Sequence, residues 1–164
     1  MKKQRKGFTI VELVIVIVIV GILTITAVPI YQYHVEKAYL TEALTMLRAI
    51  ADANTMHYME HHTWTDDIRQ LNVSIDGTES LVDGLYRIET KNFVYACCGD
   101  SATSNTIATV NRKPFKERYW FSFSAVPNKK TPKMGKYEIT GDATYNKSKQ
   151  IDKMLVKYYK DKYK

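Results

Sequence analysis

Residues 7–33 form a run with a single charge, Glu12, and residues 13–33 carry none. Val, Ile and Leu recur on every side of a helix drawn through this run. That pattern predicts burial all round, in lipid or in the core of a helical bundle. About 20 apolar residues in a helix span a bilayer core, so the run is long enough to cross one. Past Pro29 the pattern narrows to a stripe. Tyr39, Leu40, Ala43, Leu44, Leu47, Ile50, Ala51 and Ala53 trace it, while Glu36, Lys37, Glu42, Arg48 and Asp52 lie elsewhere. This is the 3.6-residue period of an amphipathic helix. Together the two patterns predict one helix from about residue 9 to about residue 60. Its first half is expected to project and its second half to pack on a sheet.

Residues 61–84 lose the period and hold Asp66, Asp67, Asn72, Asp76, Gly77, Asp83 and Gly84. They read as a loop joining helix to sheet, with room for a short helical turn at 68–71. Segments 85–89 and 92–97 are rich in β-formers, 106–110 alternates weakly, and 119–126 is the strongest strand signal. Segment 136–140 alternates cleanly and is expected to end at Gly141. Consecutive strands after a helix predict an α+β arrangement with an antiparallel sheet. At the end of the chain Ile151, Met154, Leu155, Tyr158 and Tyr159 recur at helical spacing. They predict a short amphipathic helix docked on the domain.

Charge changes the picture at the two ends. The 164 residues carry a formal net charge of +7. Lys2, Lys3, Arg5 and Lys6 give residues 1–7 a charge of +4, and seven lysines against two aspartates give 147–164 a charge of +5. The stretch between them is slightly acidic. The pI of 9.3 therefore describes two basic ends around a near-neutral body. An apolar content of 45% excludes a disordered chain. Two cysteines exclude a disulfide-dense mini-protein and a Cys-rich zinc module. There is no internal repeat, nucleophile elbow, Walker loop or dinucleotide glycine pattern. Neither a catalytic activity nor a cofactor is expected.

The basic flank puts residues 1–7 in the cytoplasm and the rest outside, by the positive-inside tendency. A secretory signal peptide would have a shorter apolar region followed by a small-residue cleavage site, and no A-x-A pattern follows here. The small residue that stands out, Gly7, precedes the run, so a cut after it would remove the basic leader and keep the helix. Glu12 is the odd feature, because an ionisable group inside a membrane segment costs a few kcal/mol or more. Either it sits near the interface and reaches water, or it meets a cation at membrane depth. An α-amino group created by a cut after Gly7 would be such a cation.

The run Lys6-Gly7-Phe8-Thr9-Ile10-Val11-Glu12-Leu13, followed by Gly21, Pro29 and Tyr31, resembles the start of a type IV prepilin. The resemblance covers roughly residues 2–40. It implies the α+β type IV pilin fold, a long N-terminal helix packed on an antiparallel sheet. Residues 1–7 would be a cleaved leader, 8–33 a transmembrane and polymerisation helix, and 34–164 the globular domain. Gly7 would be the last leader residue, removed by a prepilin peptidase, and Phe8 would become the N-methylated first residue. Glu12 would pair with the amino group of Phe8 on a neighbouring subunit. Gly21 and Pro29 match positions between which the family's helix loosens in filaments. The partners implied are identical or related pilin subunits in a helical polymer, the peptidase, an inner-membrane assembly platform, and membrane lipid before assembly. The chain would span the inner membrane once and then join a surface pilus or a periplasmic pseudopilus. Its helical tail departs from the family, many of whose members end in a strand or a cysteine-closed loop.

Other constellations carry weaker signals. Cys97 and Cys98 are adjacent, so they are either free thiols or a strained vicinal disulfide, which would be readily reduced. His57 and His61 share a helix face at a spacing that can hold a metal, beside Glu60 and His62. The zincin pattern is absent because Tyr58 follows His57, and the cluster is expected to be a solvated helix terminus with no metal. Residues 112–136 hold Arg112, Lys113, Lys116, Arg118, Lys129, Lys130, Lys133 and Lys136 against one acid, Glu117, with Tyr119, Trp120, Phe121 and Phe123 interleaved. Basic residues with aromatics can bind nucleic acid, with Lys129, Lys130 and Lys133 as the candidate contacts. Alternation of the aromatics with Ser122 and Ser124 fits a packed sheet face better. The leading functional expectation is a pilus subunit serving adhesion, motility or DNA uptake. The alternatives are a pseudopilin of a type II secretion system, a DNA-binding minor pilin, or a membrane-anchored monomer.

Overall fold

The computed structural model describes residues 7–82, 84–98, 105–114, 118–126, 128, 130–143 and 150–162. The leader cations Lys2, Lys3, Arg5 and Lys6, and Lys116, Glu117 and Lys129 of the basic stretch, lie outside them. Contacts divide the chain into two compact units, 1–38 and 39–164. Helix α1 (Ile10–His61) contributes to both.

In the first unit α1 is unbroken through Gly21 and Pro29. Its apolar side chains face outward: Ile10 is 82% exposed, Ile25 77% and Tyr31 70%. Pro29 has no N–H to give the preceding turn. The Thr24 and Thr26 hydroxyls donate to the carbonyls of Val20 (2.7 Å) and Leu23 (3.0 Å). Polar side chains of this segment are thereby satisfied inside the helix, as an apolar medium requires.

The second unit is a six-stranded antiparallel meander with helices packed on it. The strands are β1 (Thr78–Val82), β2 (Leu85–Glu89), β3 (Phe93–Cys97), β4 (Thr106–Arg112), β5 (Trp120–Ala125) and β6 (Tyr137–Asp142), in sheet order β1-β2-β3-β4-β5-β6. A second helix, α2 (Gln150–Lys162), follows. Register places Tyr95, Val110, Phe121 and Gly141 in one row and Cys97, Ala108, Phe123 and Ile139 in the next. These residues share the inner face. Across it lie Leu40, Ala43, Leu44, Leu47, Ile50 and Ala51 of α1, all buried. Tyr137 stacks on Phe123 with centroids 5.6 Å apart and donates its hydroxyl proton to Asp52. Burial and that carboxylate push the Tyr137 phenol up to about 12.

Two polar residues complete the α1 stripe. Asn54 and Thr55 are fully buried, whereas Tyr39 is 38% exposed. Asn54 donates to the carbonyls of Ile107 (3.0 Å) and Thr65 (3.3 Å) and accepts from the Thr65 N–H (3.2 Å). One amide thus ties the helix to β4 and to the segment that leaves α1.

Three expectations change. First, residues 78–82, read as loop, are strand β1, paired to β2 from Thr78↔Glu89 to Val82↔Leu85. β1 is an edge strand with largely exposed side chains, so it lacks the alternation that marks a half-buried strand. Second, β6 does not end at Gly141 but runs on to Asp142. A Cβ on Gly141 would lie 2.6 Å from Cδ1 of Phe121, so this glycine makes room for a core ring instead of ending a strand. Third, the buried face of α2 is Asp152, Leu155, Val156 and Tyr159, with Met154 and Tyr158 exposed. The helix is turned because Asp152 faces inward, to a bidentate ion pair with Arg118 whose Nε–Oδ2 distance is 3.2 Å. Tyr159 packs edge-on against Phe121 and shares a 2.7 Å hydrogen bond with Thr41 of α1.

Candidate assembly site

The N-terminal end of α1 is built by local chemistry. Thr9 precedes the first helical residue, and Glu12 is the third residue of the helix. The Thr9 N–H and hydroxyl both donate to Oε2 of Glu12, at 2.9 and 2.7 Å, and the Glu12 N–H donates to Oγ1 of Thr9 at 3.2 Å. This is a reciprocal capping box, which satisfies donors that the first helical turn leaves open. The Glu12 carboxylate is therefore held in the first turn, at the positive end of the helix dipole. Such a group can receive a cation or an amine. Thr9 had no role in the expectations above, although its signal, Thr-x-x-Glu before an apolar run, is present in the sequence.

Below this cap, α1 is the one helix among the described residues long and apolar enough to cross a membrane, and none of its most apolar window is buried. A Cβ on Gly21 would meet nothing within 4 Å, so no contact within the subunit demands a glycine there.

A family model described as the prokaryotic N-terminal methylation motif matches residues 2–28. A fimbrial protein of Neisseria meningitidis serogroup B is 32% identical over 160 residues, covering 93% of this chain and 91% of that protein. The type IV major pilin protein PilE of Neisseria gonorrhoeae is 37% identical over 91 residues, 56% of this chain and 53% of that one. The chain belongs to the type IV pilin family. A fimbrial protein of Moraxella nonliquefaciens shares 50% identity over 42 residues, about a quarter of each chain. No solved structure matches this pilin. Family membership makes it a structural subunit of a pilus and not an enzyme.

The remaining candidates of this pilin belong to the second unit. Cys97 is a free thiol, and Cys98 beside it is half-buried. Cys97 is fully buried, and burial pushes its thiol well above the usual range. Lys130 and Lys133 are exposed, and of the four interleaved aromatics only Trp120 is half-buried instead of buried. Tyr119, Phe121 and Phe123 are buried and cannot present faces to bases. The Lys130 carbonyl accepts from the Tyr58 hydroxyl of α1 at 3.3 Å, which ties this loop to the helix. His57 and His61 come together at the end of α1, their ring centroids 4.5 Å apart.

Proposed function

We propose that this pilin is cut after Gly7 by a prepilin peptidase and N-methylated at Phe8. It then polymerises through residues 8–33, with Glu12 pairing to the Phe8 α-amino group of a neighbouring subunit. Before assembly the chain spans the inner membrane once with its N-terminus in the cytoplasm, and an inner-membrane platform extracts it. The assembled filament displays residues 39–164 for adhesion, motility or DNA uptake.

The observation that carries this reading is the exposed apolar helix capped by Glu12. Full burial of each Val, Leu, Ile or Phe gains about 1.5–3 kcal/mol, so so many exposed side chains require a non-aqueous surrounding. Exchange of lipid for neighbouring helices costs little, since both are apolar. In that setting a carboxylate without a partner is unfavourable, and an α-amino group both removes the penalty and fixes axial register. Head-to-tail contacts that do not close generate helical filaments. The test is filament yield from Glu12→Ala against the unsubstituted chain, with leader removal followed in parallel. Processing should be unchanged and filaments lost or strongly reduced, whereas a normal filament yield would refute the pairing.

A further inference from the structure

The last turn of α1 holds chemistry that pilus assembly does not use. His57 and His61 are one helical turn apart, with ring planes at 47° and centroids 4.5 Å apart. His57 Nδ1 lies 2.9 Å from the Thr63 carbonyl oxygen. A carbonyl only accepts, so Nδ1 carries the proton and Nε2 is the nitrogen left to act as a ligand. Metal-bound imidazoles are held in the same way, with the non-ligating N–H donated to a carbonyl or carboxylate. The His61 side chain is 59% exposed, and its Nε2 lies 3.9 Å from a Glu60 carboxylate oxygen. The exposed ring is able to rotate toward His57.

We propose that His57 and His61 form a two-imidazole site for a first-row divalent cation of borderline softness, with water completing the coordination. Imidazole suits Cu2+, Ni2+ and Zn2+, and the expected order of affinity puts Cu2+ first. Two nitrogens each about 2.0–2.1 Å from such an ion stand roughly 3 Å apart, so the site requires the exposed His61 ring to turn its nitrogen toward Nε2 of His57. Among the described residues no group of three His, Cys, Asp or Glu side chains forms. The site is thus a chelating pair and not a closed structural centre. Its physical effect is to clamp the turn where α1 ends, just before His62 leaves the helix in the left-handed region at φ 59°.

The test uses the tag-free full-length chain in detergent. Ni2+ is titrated by calorimetry, and the Cu2+-loaded protein is examined by electron paramagnetic resonance. The site predicts one saturable equivalent and a nitrogen-coupled Cu2+ spectrum. His61→Ala and His57→Gln should each weaken Ni2+ binding at least about tenfold. His57→Gln retains a donor for the Thr63 carbonyl and so guards against a folding defect. His34→Ala and Cys98→Ser should leave binding unchanged. Absence of saturable binding, an affinity in either His variant equal to that of the unsubstituted chain, or loss of binding on Cys98→Ser would overturn the assignment.

Discussion

Removal of Arg118 should undock α2. Its guanidinium donates to both carboxylate oxygens of Asp152. The Asp152 side chain is wholly buried, and Arg118 is 13% exposed. A pair this enclosed is nothing like an exposed surface salt bridge, which contributes about 0–1 kcal/mol. Arg118→Ala takes a guanidinium away from a buried carboxylate, a change that costs up to about 3–5 kcal/mol. For a unit of this size that corresponds to a fall in Tm of about 10–20 °C. The same physics predicts that Arg118→Leu combined with Asp152→Leu is far milder than either single change, since an apolar pair of similar volume is often neutral or stabilising. The assay is a double-mutant cycle by thermal denaturation of the full-length chain in detergent, read by near-ultraviolet circular dichroism. Limited proteolysis of residues 150–162 reports the docking of α2 directly. A loss below about 1 kcal/mol for Arg118→Ala, or additive single effects, would refute the claim that this pair sets the orientation of α2.

Other outcomes follow from the same structure. Gly141→Ala places a Cβ 2.6 Å from Phe121 Cδ1 and 2.8 Å from the Trp120 carbonyl oxygen. It should cost about 1–3 kcal/mol by overpacking, measured by thermal denaturation. Thr9→Ala removes the capping hydroxyl and should lower helix stability by about 1 kcal/mol. Filament yield should fall far less than for Glu12→Ala, because the carboxylate survives. In acid, Glu89 matters: its hydrogen bonds from Lys113 and Ser80 hold its carboxyl below the usual range. The folded state then binds fewer protons than the unfolded one, so stability is full above the ordinary glutamate pKa and falls as pH drops through that range. Glu89→Gln should flatten that loss. In alkali the sign reverses. Burial raises the Tyr95 and Tyr137 phenols to about 12, so stability should fall as pH rises from about 10, where an unfolded tyrosine ionises, toward 12. A denaturation series across pH checks both limbs.

Local pattern carried most of the fold. The change from all-round apolarity to a stripe delineates both halves of α1, and β2 to β6 announce themselves by β-formers or alternation. What escaped depended on distant partners. β1 is visible only through its pairing with β2, apart from one local hint, the Asp83-Gly84 dipeptide, a hairpin signal, with Gly84 at φ 76°. The face that α2 buries is set by Arg118, 34 positions before Asp152, and no helical periodicity encodes that pair. Asn54 looks like a break in an apolar stripe until its partners Thr65 and Ile107 are seen. The proposed assembly site is readable from sequence because its residues lie close together: Gly7, Phe8 and Glu12 form one short motif. Thr9 belongs to the same motif, and its capping role is carried by the Thr-x-x-Glu pattern before an apolar run.

The central claim, that this chain is a processed subunit polymerised through its N-terminal helix, is tested most directly by mass spectrometry of filaments sheared from cells. The account predicts a chain that begins at Phe8 with a methyl group on its α-amino nitrogen and lacks residues 1–7. Recovery of this chain only from membranes, with Met1–Gly7 still attached and none in the sheared filaments, would contradict it.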